Sequence, residues 1–220
     1  MDWAKTIYYI TLSLAFVASF RAVRHPKYIL FIPLLAVSLI VEILGDVLPK
    51  TPDIKDIRST YITSFYIAVE YSFLSWTISS FIRSQWKKKM IRYSIFILVP
   101  LFVIIRFTIA RTCKTYEYLD FMIEAPLLCL WTIFYLFETA VHDEEFEITS
   151  NPMFWISLGN LLFFSGSFFS YGFGGYMASK QQFDSANKIY WIAKGLNILL
   201  YILYFIGFLC LRKKSHSSSL

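Results

Sequence analysis

The sequence predicts an all-α, polytopic integral membrane bundle of seven transmembrane helices. Of the 220 residues, 57% are hydrophobic and only 16% are charged, and the mean hydropathy is +0.54. A soluble domain carries about 25% charged residues, so most of this chain is expected to face lipid or other apolar helices. Lipid offers the backbone no hydrogen-bond partners, which makes helices the expected elements, and the two-residue alternation of β-strands is absent from the sequence.

Seven apolar stretches each have about the 20 residues that a membrane-spanning helix needs. We expect the helices over residues 3–20, 28–48, 60–82, 90–110, 118–141, 152–177 and 188–211. The chain then forms one transmembrane domain over residues 1–214, followed by a short disordered tail over residues 215–220.

Boundary residues support these helices in turn. The first is the apolar run after Lys5, which Arg21 ends, and the second lies between Pro26 and Pro49. Ser59 or Thr60 is suited to cap the third. The fourth follows the basic run 87–89, and aromatic residues flank the start of the fifth at Tyr116 and Tyr118. Asn151 as a cap with Pro152 at the first helical position favours the start of the sixth, and a polar stripe that begins at Tyr190 marks the seventh.

The distribution of Lys and Arg predicts the orientation. Basic residues are more numerous in the segments that hold Arg21, Arg24 and the run 87–89 than in the alternate segments. Because basic loops stay in the cytoplasm, we expect the N-terminus outside and the C-terminus in the cytoplasm of a multi-pass protein of the cell membrane, here a bacterial inner membrane. The net charge of +6 comes from these short loops and does not indicate nucleic acid. The lipid bilayer is the expected partner, and no protein partner is indicated.

Six ionisable residues fall within the predicted helices, where charge is costly and usually marks function. They are Glu42, Asp46, Glu70, Arg106, Glu124 and Lys194. Since successive helices run in opposite directions, five of the six belong to the outer leaflet, with Glu70 just below them. We therefore expect them to face one another inside the bundle.

Helical spacing gives the faces on which these groups lie. Glu42 and Asp46 are four residues apart, and Tyr66 and Glu70 make a similar pair. The polar stripe of the seventh helix contains Tyr190, Lys194, Asn197 and Tyr201, and the sixth helix has a stripe of small residues at Gly159, Gly166, Ser170 and Gly174.

The predicted result is a polar cavity open to the outer side. Its expected ligand-binding residues are Glu42, Glu70, Arg106, Glu124, Lys194, Asn197 and Tyr201. The alternative is a set of buried ion pairs that only sets the register of the helices. No motif for a nucleotide or zinc is present, and His142 with the acids that follow it is expected to be a solvated turn, so we expect no cofactor and no metal.

Three segments carry a resemblance to known proteins. The segments 41–45 (VEILG), 151–159 (NPMFWISLG) and 196–201 (LNILLY) resemble a group of small bacterial seven-helix membrane proteins, which implies a fold but no particular activity. The segment 44–48 (LGDVL) is similar to the Gly-Asp pair of the YhhN family of membrane lysoplasmalogenases, and 161–166 (LLFFSG) is similar to the start of a later motif in that family. This second resemblance implies hydrolysis of the vinyl ether of lysoplasmalogens, with Asp46 as the catalytic acid.

The leading functional prediction is a receptor or sensory component, rather than an enzyme, that binds a small polar or lipid-like ligand. One alternative is a lipid-modifying membrane hydrolase in which Asp46 and Glu42 act as acid and base. Another is a small-solute transporter coupled to protons or cations through Glu42, Glu70 or Glu124. A retinal Schiff base at Lys194, with Glu70 nearby, is a further alternative.

Overall fold

Residues 3–47, 62–105, 108, 119–142 and 150–211 are described by a computed structural model. These residues form seven α-helices and no strand, so the all-α class is confirmed for them. The helices are α1 Trp3–Ser19, α2 Phe31–Val47, α3 Thr63–Phe81, α4 Gln85–Ile105, α5 Leu119–His142, α6 Pro152–Ser179 and α7 Phe183–Leu209, and a 3-10 helix, Phe20–Arg24, follows α1. Arg106 and the tail 215–220 lie outside the described residues.

The helix boundaries agree with the predicted ones to within three residues except at two N-termini, and the predicted end of the fourth helix at residue 110 lies outside the described residues. Helix α4 begins at Gln85 rather than at Met90, because glutamine and lysine are good helix formers and extend the helix beyond its apolar part. Helix α7 begins at Phe183 rather than at Lys188, and Asp184 in its first turn complements the helix dipole. The cap predicted for α6 is confirmed, since the N–H of Met153 donates to Oδ1 of Asn151 at 2.9 Å.

Four of the described helical segments are long and apolar enough to cross a membrane. They are Trp3–Arg24, Leu119–Val141, Pro152–Met177 and Asn187–Leu209. Large apolar side chains also cover the outside of the bundle, with Phe96 and Phe169 each 71% exposed. In water such a surface would be a strong liability, whereas hydrocarbon solvates it, so these features are those of a membrane protein.

Six of the helices close into a ring. Helix α1 packs on α2, α2 on α3, α3 on α5, α5 on α6, α6 on α7, and α7 packs back on α1. Helix α4 packs on α3 and α5 and is not a member of this ring. The interior of the ring is therefore reached by side chains from six helices, which positions the candidate site.

The glycines of the small-residue stripe on α6 pack against α7, a partner that the sequence did not specify. A Cβ atom added to Gly166 would lie 2.4 Å from Cδ1 of Leu196, and one added to Gly174 would lie 2.9 Å from Cε1 of Tyr190. The absence of a Cβ at these positions lets Leu196 and Tyr190 of α7 pack directly on the backbone of α6. The close packing holds the polar residues of α7 against the ring interior.

Candidate ligand-binding site

A cavity of about 240 Å³ lies inside the helix ring. Every ring helix contributes at least one lining residue, and α4 contributes none among the residues that the structure describes. Its polar lining residues are Tyr8, Ser38, Glu42, Thr63, Tyr66, Glu70, Tyr171, Asn197 and Tyr201. The structure thus brings together Glu42, Glu70, Asn197 and Tyr201 of the predicted ligand-binding set.

The first polar wall joins α1, α2 and α7. The phenol of Tyr8 donates a hydrogen bond to Oε1 of Glu42 at 3.0 Å. The ring of Tyr8 also packs edge-on against the ring of Tyr201, with 5.7 Å between their centroids. These contacts hold the Glu42 carboxyl at the wall of the cavity with its hydrogen-bond donor on a different helix.

The second polar wall joins α2 and α3. The hydroxyl of Tyr66 lies 2.8 Å from Oε1 of Glu70 and 3.1 Å from Oγ of Ser38. Ser38 in turn donates to the backbone carbonyl of Leu34 at 3.0 Å. Glu70 is 93% buried, so the phenol is the main polar group that replaces its lost hydration.

Glu124 lies beside Glu70 but does not line the cavity. Its side chain is fully buried in α5, and neither carboxyl oxygen has a hydrogen-bond partner among the described residues. Glu70 and Asp120 are close enough for their charges to act on it. The expectation that Glu124 contacts a ligand directly is therefore corrected, because the residue sits between helices rather than at the cavity wall.

Lys194 points away from the site and also corrects the prediction. It is exposed, and its ammonium lies 4.4 Å from the centroid of the Trp191 ring, one turn earlier on α7. Its flexible stem lets the charge leave the polar stripe and avoid burial, while an indole face offers a cation–π contact. Arg106 lies outside the described residues, and no base in the described part of the chain lines the cavity.

The side chain of Asp46 contacts residues of α1 outside the cavity. Its Oδ1 pairs with the ammonium of Lys5 at 2.5 Å, and its Oδ2 accepts a hydrogen bond from Tyr9. The side chain is 35% exposed and does not line the cavity. The two acids share the face of α2 that meets α1, as their spacing predicts, but only Glu42 reaches the cavity.

Sequence reasoning missed four of the polar lining residues, namely Tyr8, Ser38, Thr63 and Tyr171. Ser38 precedes Glu42 by four positions and so shares its helix face, which is a signal that was available. Tyr8 and Tyr171 lie in aromatic-rich helices, where spacing does not separate a cavity tyrosine from one that packs against lipid. Only the closed ring identifies them.

The lining combines two carboxyls, four phenols and an amide. Carboxyls and phenol rings both favour a group that donates hydrogen bonds or carries positive charge. No group of three or more His, Cys, Asp or Glu side chains in the described residues is arranged to hold a metal ion. Comparisons of the chain with models of protein families, with curated proteins and with solved structures give no match.

Proposed function

We propose that this protein is a receptor or sensory component of the membrane that binds a small polar or lipid-like ligand in the ring cavity. The observation that carries the proposal is the convergence of polar side chains from five helices of the ring, with Phe121 from α5, on one cavity of about 240 Å³. A ligand there contacts every helix of the ring at once. Its binding would favour one arrangement of these helices over another, which is the physical basis of a sensory response.

The proposed topology is seven spans, with the N-terminus outside and the C-terminus in the cytoplasm of a bacterial inner membrane. Gly45, near the end of α2, and Ile62, just before α3, line the cavity, so it lies towards the end of the bundle where these two helices are connected. Arg21 and Arg24, in the 3-10 helix between α1 and α2, lie at the opposite end of the bundle. The positive-inside rule then supports an outer-leaflet position for the cavity.

The proposed ligand carries an ammonium group. Glu42 and Glu70 supply negative charge, and Tyr8, Tyr171 and Tyr201 supply aromatic surface, in a cavity with no described lining base. A desolvated ammonium over aromatic faces gains about 2 kcal/mol or more, and a nearby carboxylate adds a charge-assisted hydrogen bond. The volume of about 240 Å³ accommodates a small head group.

The test compares choline with its neutral isostere 3,3-dimethylbutanol, followed by lysophosphatidylcholine. Binding is measured on the purified full chain in detergent by isothermal calorimetry and by the shift in Tm. We expect choline or the lysolipid to stabilise the protein and the neutral isostere to have little effect. A ligand at 100 times its Kd stabilises by about 2.7 kcal/mol, so a shift is readily measured.

Glu70→Gln should weaken the binding at least tenfold, because it removes a charge at the cavity wall. Lys194→Gln is the matched control, since that residue is exposed and does not line the cavity. Equal responses to choline and its neutral isostere, or equal losses in the two variants, would contradict the proposed ligand class.

A second candidate function is transport coupled to protons, and the hydroxyl chain favours it. Ser38 donates to the backbone carbonyl of Leu34, and its Oγ also lies within hydrogen-bond distance of the Tyr66 hydroxyl. The Tyr66 hydroxyl in turn contacts the carboxyl of Glu70. The two hydroxyl groups therefore have two hydrogens for three contacts. A proton on Glu70 would supply the third hydrogen, so these side chains suit the uptake and release of a proton at Glu70.

Proteoliposomes that contain a pH-sensitive dye test proton-coupled transport: proton uptake should occur in the wild type and be lost in Glu70→Gln. Uptake that persists in that variant would exclude coupling through Glu70.

A further inference from the structure

A second cavity, of about 490 Å³, lies at the basic end of the bundle, away from the ring cavity. Lys27, Arg83 and Lys88 line it, and Ser80, Thr139 and Asn151 add polar groups. No acid lines it among the described residues. The cavity thus combines three positive charges with hydroxyl and amide groups at one place.

The three cations come from separate segments of the chain. Lys27 precedes α2, Arg83 lies in the turn between α3 and α4, and Lys88 lies near the start of α4. The ammonium of Lys27 lies 5.1 Å from the centroid of the Phe81 ring, which places it at the end of α3. Charges that repel one another are brought to one cavity by the fold, and such an arrangement is favourable when an anion is bound.

A buried acid, Glu138, holds the turn that carries Arg83. Oε2 of Glu138 accepts the backbone N–H of Arg83 at 2.7 Å and that of Ser84 at 3.4 Å. Its Oε1 forms an ion pair with Lys87 at 3.0 Å. Glu138 is only 6% exposed and does not line the cavity. It therefore fixes the turn that carries Arg83.

We propose that this cavity binds a phosphate group, presented either by an anionic phospholipid or by a soluble phosphate ester. Phosphate accepts charge-assisted hydrogen bonds from several Lys and Arg side chains and from neutral donors at once. Basic pockets between helices on the cytoplasmic side of a membrane bind lipid head groups in this way. The proposal is independent of any ligand in the ring cavity.

The experiment uses the purified full chain in detergent and measures bound lipid by native mass spectrometry. The probes are phosphatidylglycerol, zwitterionic phosphatidylcholine and, without lipid, glycerol 1-phosphate. We expect the anionic lipid or the soluble ester to bind. The double variant Arg83→Gln/Lys88→Gln should lower that binding at least tenfold.

The matched control is Arg24→Gln/Lys89→Gln, which removes the same charge from exposed residues at the same end that do not line the cavity. The control should bind like the wild type. If Arg83→Gln/Lys88→Gln does not fold, the single variant Lys27→Gln provides the measurement, because Lys27 is exposed.

Each outcome decides the proposal. If Arg83→Gln/Lys88→Gln selectively loses binding of phosphatidylglycerol, the site is assigned to a lipid. If it selectively loses binding of glycerol 1-phosphate, the site is assigned to a soluble ester. Equal losses in the cavity variant and its control would show general surface charge and overturn the proposal, as would no binding of any probe. The sequence also has acids at 143–147, outside the described residues; neutralising them should leave phosphate binding as tight or tighter, and weaker binding would contradict the assignment.

Discussion

The phenol of Tyr66 and the carboxyl of Glu70 meet at 2.8 Å, one turn apart on α3. The same phenol lies 3.1 Å from Ser38 on α2. This contact therefore does two things: it supplies a polar partner to a buried acid, and it ties that acid to the neighbouring helix. The position of Glu70 at the cavity wall depends on both.

Tyr66→Phe should destabilise the protein and weaken ligand binding. The variant keeps the ring but removes the hydroxyl from Glu70 and Ser38, and a hydrogen bond to a buried acid contributes about 1–3 kcal/mol. Thermal unfolding in detergent measures the loss, with Tyr93→Phe as the control because Tyr93 is 64% exposed. Equal unfolding of the two variants would show that the Tyr66 contact does not stabilise the fold.

Glu124→Met should stabilise the protein. The carboxyl of Glu124 is fully buried and makes no hydrogen bond in the described residues, and an apolar side chain of similar size avoids that desolvation cost of about 1–3 kcal/mol. The measurement is Tm in detergent, together with proton uptake in proteoliposomes. A lower Tm would mean that the carboxyl has a stabilising partner after all.

Gly207→Ala should destabilise the contact between α6 and α7, whereas Gly195→Ala on the same helix should not. A Cβ at Gly207 would lie 2.9 Å from the backbone carbonyl oxygen of Pro152, which has no flexible end that can move aside. A Cβ at Gly195 meets nothing within 4 Å, so alanine there gains helix propensity of about 0.5–1 kcal/mol. Tm values of the two variants test this, and the prediction fails if Gly195→Ala is the less stable of the two.

Asp46→Asn should have little effect on stability. Its ion pair with Lys5 is solvent-accessible, with side-chain exposures of 35% and 48%, and exposed pairs contribute about 0–1 kcal/mol. A double-mutant cycle with Lys5→Gln measures the coupling energy by thermal unfolding. The same variant bears on lipid hydrolysis: release of aldehyde from lysoplasmalogen by the wild type, abolished in Asp46→Asn, would restore the hydrolase alternative.

The helices were predictable because local patterns decide them. Apolar runs of sufficient length gave the all-α class, and Asn151 with Pro152 located the start of α6 to the residue. The starts of α4 and α7 were placed too late, since hydropathy detects apolar residues and polar residues such as Gln85 and Asp184 can also be helical. Gly166 belongs to the stripe of small residues seen in the sequence, but its neighbour Leu196 on α7 was not predicted.

The candidate site was predictable only in part, and the reason is visible in α7. The spacing of Lys194, Asn197 and Tyr201 puts all three on one side of the helix, yet Asn197 and Tyr201 line the cavity while Lys194 turns to Trp191. Helical periodicity gives the direction of a Cβ atom, and a long charged side chain then goes where its head group is solvated. Glu124 was expected inside the bundle with Glu70 and is buried there, but helical spacing did not show that it lies outside the lining of the cavity.

The sequence by itself determined that this chain is helical, that its helices suit a membrane and that several acids lie within them, because hydropathy and local propensity act along the chain. The tertiary structure alone decided that six helices close into a ring, that Tyr8 and Ser38 join Glu42 and Glu70 at one cavity, and that Lys27, Arg83 and Lys88 meet at the other end. These contacts depend on how helices that are far apart in the sequence pack together. The packing is set by the shapes of both helices rather than by either segment alone.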